Sequence, residues 1–330
     1  DVYKRQQLHN KVWYHDNDVV SFRAKQIMER IGFSQDADWT RNLDVQLESL
    51  GYTDTPEKSR WMYRRGLGMA LCKGFHVSGF DLHGGSFHAP ELRDEIQQLN
   101  HLATRAATAN RASMAEVLVV SDELSCAYAA PQGGLLRESL LTPQNQLTRI
   151  GAATDHILLE DIDLVDVDQY KLVIFLNTWH VTDRQRQAIR QRVLNNQRYV
   201  VWCYTAGLFG EPEESWDGMQ DLMGIKLKRG DASLISPRWQ VISGVHPLQR
   251  ALAMYGPPLE LTRPSATAPY CRLHAVGDPT AVKLATHADT QSVILALAAQ
   301  DGWHSVYSIT AALPACITWP FVPAAASRVA

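Results

Sequence analysis

The sequence EVLVV at residues 116–120 is a nearly continuous apolar run with the length of a strand. Continuous apolar character is typical of a strand buried on both faces of a parallel sheet. Three further strands are predicted at residues 155–159, 171–176 and 198–202, with helical patterns between strands. Strands with intervening helices predict an α/β fold, with a doubly wound, flavodoxin-like domain over residues 113–245.

The preceding residues, 7–112, show the same alternation in a looser form. A β-prone run at 11–14 is followed by His15-Asp16-Asn17-Asp18, where we expect the strand to end. The polar stretch 21–53 predicts a long irregular loop. The remaining signals are a helix that begins after Thr55, a strand at 75–82 and a helix that begins at Pro90. This order is that of a parallel α/β fold.

The final third of the chain is rich in turn residues and short β-prone segments. These segments lie at residues 271–275, 281–285, 292–298 and 303–309. They predict a small β-rich layer over residues 246–314. The last residues, 315–330, lose this pattern, and we interpret them as a candidate out-of-frame tail.

The composition limits the classes of function. The chain has 330 residues, enough for about two domains, with 45% apolar and 20% charged residues, as in ordinary globular proteins. Its net charge of -3 gives no basic surface, so nucleic acid is not expected as a partner. No apolar run reaches the ~18 residues that a membrane-spanning helix needs, so a membrane is not expected either.

The cysteines lie far apart and form no C-x-x-C pair; they are Cys72, Cys126, Cys203, Cys271 and Cys316. This spacing favours scattered reduced thiols over a zinc site or a disulfide framework, and hence a cytoplasmic protein. The opening residues 1–6, DVYKRQ, resemble a sequencing-adapter remnant and are excluded from the fold prediction. On that interpretation the true N-terminus, with any signal peptide, lies upstream.

Two carboxylates, Asp16 and Asp18, follow the first predicted strand. Catalytic groups of α/β barrels lie at the carboxyl ends of strands, and glycoside hydrolysis needs two carboxylates across the scissile bond. These aspartates are therefore candidates for such chemistry. The alternative is an ordinary Asp/Asn turn, because these residues favour turns by bonding their own backbone.

A second candidate site follows the next predicted strand, at Phe80, Asp81, His83 and the pair Gly84-Gly85. The strand places a carboxylate and an imidazole next to two glycines, whose backbone can approach a ligand closely. The ring of Phe80 can stack on a sugar. The alternative is a plain strand end with a glycine turn. The histidines of this stretch lack a zinc-binding spacing, so no metal is expected.

Two weaker candidates lie in the flavodoxin-like domain. Cys203 follows the fourth strand, where class I glutamine amidotransferases place a catalytic cysteine. Its bulky neighbours Trp202 and Tyr204 favour a buried structural thiol instead. Gly133-Gly134 precedes a helix but matches neither G-x-G-x-x-G nor a P-loop, so no cofactor is expected.

Several stretches resemble glycoside hydrolases related to family 42, the β-galactosidase-like enzymes. The stretch 8–18, LHNKVWYHDND, is similar to their penultimate barrel strand. The stretch 79–87, GFDLHGGSF, followed by Pro90-Glu91-Leu92, is similar to the last strand and helix. Residues 115–227 resemble the β-galactosidase trimerisation domain, through Leu135-Leu136-Arg137-Glu138 and the residues 170–177.

The resemblance implies a C-terminal fragment that begins with the end of a (β/α)8 barrel over residues 7–112. It also implies a retaining mechanism on β-linked sugars and a homotrimer in the full-length enzyme. Asp16 matches the nucleophile position, where the family usually has Glu. The residues that would bind the carbohydrate substrate are Asp18, Asp81, His83 and Phe80.

The acid/base carboxylate of the family belongs to an earlier barrel strand. We therefore expect this chain alone to be inactive. The alternative interpretation is a non-catalytic carbohydrate-binding or oligomerisation module.

Overall fold

The chain forms two compact units, Val2–Ser113 and a unit that begins at Met114. The computed structural model describes residues 2–31, 45, 47–48, 50–81, 85–110, 112–129, 135–148, 150–210, 214–233, 239–253, 272–288 and 290–309. The tail predicted at 315–330 lies outside these residues. None of the described helices is long and apolar enough to cross a membrane.

The first unit alternates strands and helices. Its elements are α1 (Val2–Leu8), β1 (Tyr14–Asp18), α2 (Ala24–Ile31), α3 (Pro56–Lys73), β2 (His76–Phe80) and α4 (Pro90–Ala107). β1 and β2 pair in parallel, with Tyr14 opposite His76 and Asp18 opposite Phe80. The predicted strand, helix, strand and helix occur in that order, but α2 lies within the predicted long loop. The helix α1 covers residues 2–6, which the fold prediction excludes.

Local sequence signals fix both ends of α3. The Thr55 side chain accepts a hydrogen bond from the backbone N–H of Lys58 at 3.2 Å, and Pro56 occupies the first turn, where an N–H has no helical partner. At the other end Gly74 adopts the left-handed conformation, with φ at 74°, and donates to the Ala70 carbonyl. The helix predicted to begin after Thr55 is confirmed.

The predicted position of the first strand is wrong. The sequence predicts a strand at 11–14 that ends at His15-Asp16-Asn17-Asp18, but β1 covers Tyr14–Asp18. Asp and Asn are poor strand formers, yet strand preference depends mainly on pairing, and all five residues of β1 pair with β2. The loop predicted at 21–53 also contains α2.

The two faces of β1 have different surroundings. Asn17 faces α3, because a Cβ atom on Gly66 would lie 2.5 Å from the Asn17 Nδ2 atom. Side chains alternate along a strand, so Tyr14, Asp16 and Asp18 point to the opposite face. All three are exposed there.

The core of the first unit lies on the helix side of the strands. One buried cluster joins α3, α4 and the segment after β1 through Val19, Tyr63, Ala89 and Leu92. A second cluster packs α2 through Val20, Ala24, Met28 and Leu47. In addition, Arg64 on α3 donates two hydrogen bonds to the buried Glu95 on α4, at 2.8 and 2.7 Å. These contacts fix the helices against each other.

The second unit is built on an eight-stranded sheet. The strands of the whole unit, of which all but β7 and β9 belong to this sheet, are β3 (Val117–Ser121), β4 (Thr154–Leu158), β5 (Leu172–Phe175), β6 (Arg198–Cys203), β7 (Leu227–Ser233), β8 (Trp239–Val241), β9 (Arg272–Val276), β10 (Val282–His287), β11 (Val293–Gln300) and β12 (Trp303–Ser308). Its helices are α5 (Thr142–Leu147), α6 (Asp183–Ala188), α7 (Trp216–Met223) and α8 (Pro247–Ala253), with π-helical turns at Arg137–Leu141 and Ile189–Val193.

The strands of this sheet are ordered β4-β3-β5-β6-β12-β11-β10-β8. Neighbours from β4 to β12 are parallel, and neighbours from β12 to β8 are antiparallel. The chain adds β4 on one side of β3 and β5 on the other, so a topological switch point lies between β3 and β5. The four strands predicted between residues 116 and 202 are confirmed.

The C-terminal strands do not form the separate β-rich layer that the sequence predicts. β10, β11 and β12 extend the main sheet, whereas β7 and β9 pair with each other. The physical reason is burial on both faces. Consecutive residues such as Leu295-Ala296 in β11 and Val306-Tyr307 in β12 are all at most 1% exposed. Strands of this kind belong inside a sheet.

Arg198, at the start of β6, is a buried cation with 1% exposure. Burial lowers the pKa of its guanidinium, against a smaller raising effect of Asp168. The guanidinium donates to the carbonyls of Val167, Tyr170, Arg192 and Val193 and to the Asn195 side chain. A buried charge is tolerated when its donors are satisfied in this way. Arg198 thereby ties the segments before β5 and β6 to the sheet.

Candidate active site

Asp16 lies in the middle of β1 and is held by two hydroxyl groups. The Tyr14 hydroxyl donates to Asp16 Oδ1 at 2.6 Å, and the Ser78 hydroxyl lies 2.9 Å from the same oxygen. The two hydroxyl oxygens are 2.5 Å apart. Tyr14 precedes Asp16 by two residues on the same face, and Ser78 is its register partner on β2. We call these three residues the Asp16 network.

The Asp16 network favours an ionised carboxylate. The hydrogen bonds from Tyr14 and then from Ser78 lower the pKa of Asp16, and the smaller effects of desolvation and His15 oppose each other. Both bonds end on Oδ1, and among the described residues Oδ2 has no hydrogen-bond partner. An ionised carboxylate with one free oxygen can act as a nucleophile or accept a ligand hydroxyl.

Asp18 and Phe80 are the last residues of β1 and β2, and they are register partners. Both are exposed, Phe80 at 45%. Together with Tyr14, Asp16 and Ser78 they form an open surface on one side of the two strands, which we call the carboxylate face. An aromatic ring beside carboxylates suits a sugar, which offers C–H groups to the ring and hydroxyls to the acids.

Asp81 follows β2, and the chain itself engages its carboxylate. Its Oδ2 atom accepts a hydrogen bond from the backbone N–H of Ser86 at 3.0 Å, and the buried Ser86 hydroxyl pairs with that of Ser21 at 2.8 Å. These bonds tie the segment after β2 to the segment after β1. A substrate contact of Asp81 would therefore use its other oxygen. His83, also predicted to bind substrate, lies outside the described residues.

Tyr63, on α3, is a buried phenol near both strand ends. Burial, followed by the charges of Asp81 and Asp18, raises the pKa of Tyr63 to about 12. Its hydroxyl has no hydrogen-bond partner within the described part of the chain. The phenol therefore stays protonated and is able to donate a hydrogen bond at this end of the unit.

The sequence identifies Asp16 as a candidate but misses the residues that hold it. Had the strand been predicted over Tyr14–Asp18, Tyr14 and Asp16 would have been expected on one face, because side chains two residues apart point to the same side of a strand. Ser78 carries no local signal, because its contact depends on the pairing of strands 62 residues apart. Tyr63 fits a helical core pattern, which does not distinguish it from an ordinary packing residue.

The two candidates in the second unit have different outcomes. Cys203 is fully buried at the end of β6, and burial raises the pKa of its thiol far above its ordinary value, so the prediction of a structural thiol is confirmed. Tyr204, with φ at 63°, occupies the strained position after the strand. Gly133-Gly134 lies outside the described residues. Within the described ranges, no group of three His, Cys, Asp or Glu side chains could hold a metal ion.

No family model and no curated protein matches the chain. Solved structures do match. The β-galactosidase of Bacillus circulans sp. alkalophilus is 15% identical, with a TM-score of 0.59 over 81% of this chain and 41% of its own. The β-galactosidase of Rahnella sp. R3 is 14% identical, with a TM-score of 0.56 over 82% and 41%.

A catalytic mutant of Gan42B, a GH42 β-galactosidase from G. stearothermophilus, is 13% identical, with a TM-score of 0.58 over 83% of this chain and 40% of its own. The chain shares its fold with part of these β-galactosidases. It spans about 40% of their length. The predicted resemblance to family 42 glycoside hydrolases is thereby confirmed for the fold, and the likeness at this identity concerns the fold alone.

Proposed function

We propose that the chain is part of a retaining glycoside hydrolase that acts on β-linked sugars, in the manner of a β-galactosidase, with Asp16 as its nucleophile. The observation that carries the proposal is the carboxylate face. Asp16 and Asp18 are exposed on one side of two parallel strands, and hydrogen bonds favour the ionised form of Asp16. The fold shared with part of these β-galactosidases supports the proposed enzyme class.

The surroundings of β1 and β2 support the interior of a (β/α)8 barrel. Parallel sheets are normally covered on both faces, and two strands alone do not make a stable sheet. Here the helices cover one face, and the carboxylate face is open. A cavity of about 600 Å³ also lies beside β2, with apolar lining that includes Leu67, Ala70 and Ile96. In a complete barrel, further strands would enclose the carboxylate face and cover the cavity beside β2.

In the proposed mechanism, Asp16 attacks the anomeric carbon and forms a glycosyl ester while an acid protonates the leaving oxygen. Water then releases the sugar, with the former acid acting as a base. The two carboxyls of a retaining enzyme lie ~5–5.5 Å apart. We assign the acid/base role to a carboxylate on another barrel strand, outside this chain, so that the chain alone is inactive. The residues that bind the substrate are Phe80, Asp18, Asp81 and His83.

We propose that the second unit is a flavodoxin-like trimerisation domain. Its parallel strands run β4-β3-β5-β6-β12, which is the second-first-third-fourth-fifth order of flavodoxin-like sheets. The burial of Cys203 disfavours a reactive thiol at the end of β6, which supports a role in assembly rather than chemistry. In a homotrimer this unit would line the active site of a neighbouring subunit.

A second candidate function is a non-catalytic carbohydrate-binding or oligomerisation module. The observation that favours it is the length of the Asp16 side chain, one methylene shorter than the glutamate usual in the family. A shortened nucleophile strains the ~5–5.5 Å geometry of a retaining site. Sugar binding by Phe80 and Asp18 would tolerate this change.

The complete enzyme tests the proposal. The source DNA around this coding region is read to a start codon, and the encoded protein is assayed with an aryl β-galactoside. Asp16→Asn should lower turnover by about 10³-fold or more. The control is Asp54→Asn, which removes an exposed aspartate paired with Lys58 and should leave turnover unchanged.

Full turnover in Asp16→Asn would overturn the nucleophile assignment. An inactive wild type that still binds galactosides would favour the binding module. Rapid hydrolysis by the 330-residue chain alone would contradict the assignment of the acid/base to another strand.

A further inference from the structure

The two carboxylate oxygens of Asp16 have different surroundings. The Tyr14 hydroxyl donates to Oδ1 at 2.6 Å, and the Ser78 hydroxyl approaches the same oxygen at 2.9 Å. In the described parts of the chain, no hydrogen bond reaches Oδ2. Oδ2 therefore keeps its lone pairs for a substrate, whereas Oδ1 is held by the Asp16 network.

Strand pairing fixes this difference between the two oxygens. Tyr14 and Asp16 are two residues apart on β1, so both side chains point to the carboxylate face, and Ser78 is the register partner of Asp16 on β2. The Tyr14 hydroxyl also lies 2.5 Å from the Ser78 hydroxyl. The two hydroxyl oxygens and Asp16 Oδ1 thus form a closed triangle, and the backbones of two paired strands set its position.

This triangle has three contacts but only two protons. Tyr14 and Ser78 each carry one hydroxyl proton, and an ionised carboxylate carries none. Either both protons point to Oδ1, or one hydroxyl donates to the other and a single proton points to Oδ1. Hydrogen bonds to an ionised acceptor are roughly twice as strong as those to a neutral acceptor. A charged Asp16 therefore gains more from the two hydroxyls than an uncharged Asp16 does.

We infer that Tyr14 and Ser78 are positioning residues that act through Asp16 Oδ1 and accelerate the second chemical step, the release of the sugar from Asp16. This inference rests on the proposed function, in which Asp16 is the nucleophile. Oδ2 is then the attacking oxygen, because the two hydroxyls occupy Oδ1.

The two steps change the charge on Oδ1 in opposite directions. In the first step an electron pair of Oδ2 forms the bond to the anomeric carbon, while the bond to the leaving oxygen breaks and the acid gives that oxygen a proton. Oδ1 becomes the carbonyl oxygen of a neutral ester. In the second step water bonds to the anomeric carbon and passes a proton to the base. The bond to Oδ2 breaks, and its electron pair returns to the carboxylate, which shares the charge with Oδ1.

Donors on Oδ1 therefore stabilise the transition state of the second step more than the ester that precedes it. Only an interaction that strengthens towards the transition state accelerates a step. In the first step these bonds are strongest before the reaction begins, so their loss should not slow that step. A purely structural role of the two hydroxyls would instead affect both steps together.

Kinetics of the complete enzyme with an aryl β-galactoside separate the two steps. A strongly acidic phenol as the leaving group makes the first step fast, so that kcat reports the second step and kcat/KM the first. Tyr14→Phe and Ser78→Ala should each lower kcat about five- to tenfold, while kcat/KM falls by no more than about twofold. A burst of about one phenol per active site should precede the steady state, because the ester accumulates.

Two further variants serve as controls. Ser78→Thr keeps a hydroxyl and should restore the wild-type kcat. Thr104→Ala removes an exposed hydroxyl that donates to the Asn100 carbonyl within α4 at 2.9 Å, and it should leave kcat and kcat/KM unchanged. Melting curves check that each variant is folded.

Equal losses in kcat and kcat/KM would show a structural role alone and overturn the inference. Wild-type kinetics in Tyr14→Phe and Ser78→Ala, or a Ser78→Thr variant as slow as Ser78→Ala, would overturn it as well. Loss of turnover in Asp16→Asn alongside any of these results would leave the proposed glycosidase intact. Full turnover in Asp16→Asn, or an inactive complete enzyme, would overturn the proposed nucleophile and the inference with it.

Discussion

Asp16 and Ser78 face each other across the parallel pair of β1 and β2, with the Ser78 hydroxyl 2.9 Å from the Asp16 carboxylate. The Tyr14 hydroxyl reaches the same oxygen at 2.6 Å. A carboxylate that accepts two hydroxyl bonds is stabilised in its charged form, and the pKa of Asp16 is lowered accordingly. The charge state of Asp16 therefore depends on the neighbouring strand as well as on its own.

We expect Tyr14→Phe to raise the pKa of Asp16, because it removes the larger of the two hydrogen-bond contributions and keeps the ring. Ser78→Ala should raise this pKa by less, and the double variant by most. NMR titration of the aspartate carboxyl carbons measures the change. Asp54 is the internal control, because Lys58 lowers its pKa instead. An Asp16 pKa unchanged by Tyr14→Phe would contradict the Asp16 network.

The same contacts give a pH dependence of stability. The pKa of Asp16 is below its ordinary value of 3.8 in the folded chain. The stabilisation is therefore fully present above that value and is lost as the pH falls through the folded pKa. Tyr14→Phe should lower the free energy of unfolding at neutral pH and leave it nearly unchanged in strong acid. Urea denaturation at the two pH values measures this difference.

The correct predictions rest on signals that act locally. The cap at Thr55 and the left-handed Gly74 fix α3 within one turn at each end. The apolar runs of β3, β5 and β6 are buried on both faces, and such runs indicate burial whichever strands lie beside them. Such features need no knowledge of a distant partner.

The wrong predictions depend on distant pairing. Tyr14–Asp18 has the composition of a turn and becomes a strand through its parallel neighbour. β12 joins the main sheet because it pairs with β6, which no local pattern around residue 303 indicates. The hydroxyl of Ser78 reaches Asp16 for the same reason. The carboxylates of the candidate site could thus be predicted, but not the residues that hold them.

Thr182 caps α6 in a reciprocal arrangement. Its hydroxyl accepts from the Gln185 N–H at 3.3 Å, and Gln185 Oε1 accepts from the Thr182 N–H at 2.9 Å. Thr182→Ala should lower the free energy of unfolding by about 1 kcal/mol, as measured by urea denaturation. Thr182→Ser keeps a capping hydroxyl and should stay close to wild type. An equal loss in both variants would show that the methyl group, not the cap, is responsible.

Replacing Arg198 should lower the free energy of unfolding by more than replacing Thr182 does. Arg198→Met keeps much of the volume but leaves the buried carbonyls around the guanidinium without a donor, which should cost about 3–5 kcal/mol of unfolding free energy. The matched control is Arg184→Met. Arg184 is 81% exposed and bonds to Asp163, so its loss should cost less than about 1 kcal/mol. Similar losses in both variants would contradict the structural role of Arg198.

Gly66 and Gly68 lie two residues apart on α3 in different surroundings. A Cβ atom at Gly66 would lie 2.5–2.8 Å from three side-chain atoms of Asn17, whereas nothing lies within 4 Å of a Cβ atom at Gly68. Gly68→Ala should stabilise the chain by about 0.5–1 kcal/mol through helix propensity. Gly66→Ala should destabilise it by about 1–3 kcal/mol, because Asn17 must move.

Asn17 lies between Asp16 and Asp18, so this displacement should reach the carboxylate face. Gly66→Ala should therefore shift the carboxyl NMR signal of Asp16, whereas Gly68→Ala should leave it in place. Thermal unfolding and the carboxyl spectra of both variants measure the two effects together. Equal stabilisation by both substitutions would mean that the Asn17 side chain can move away from residue 66 without an energetic cost. In that case α3 would not fix the position of the carboxylate face.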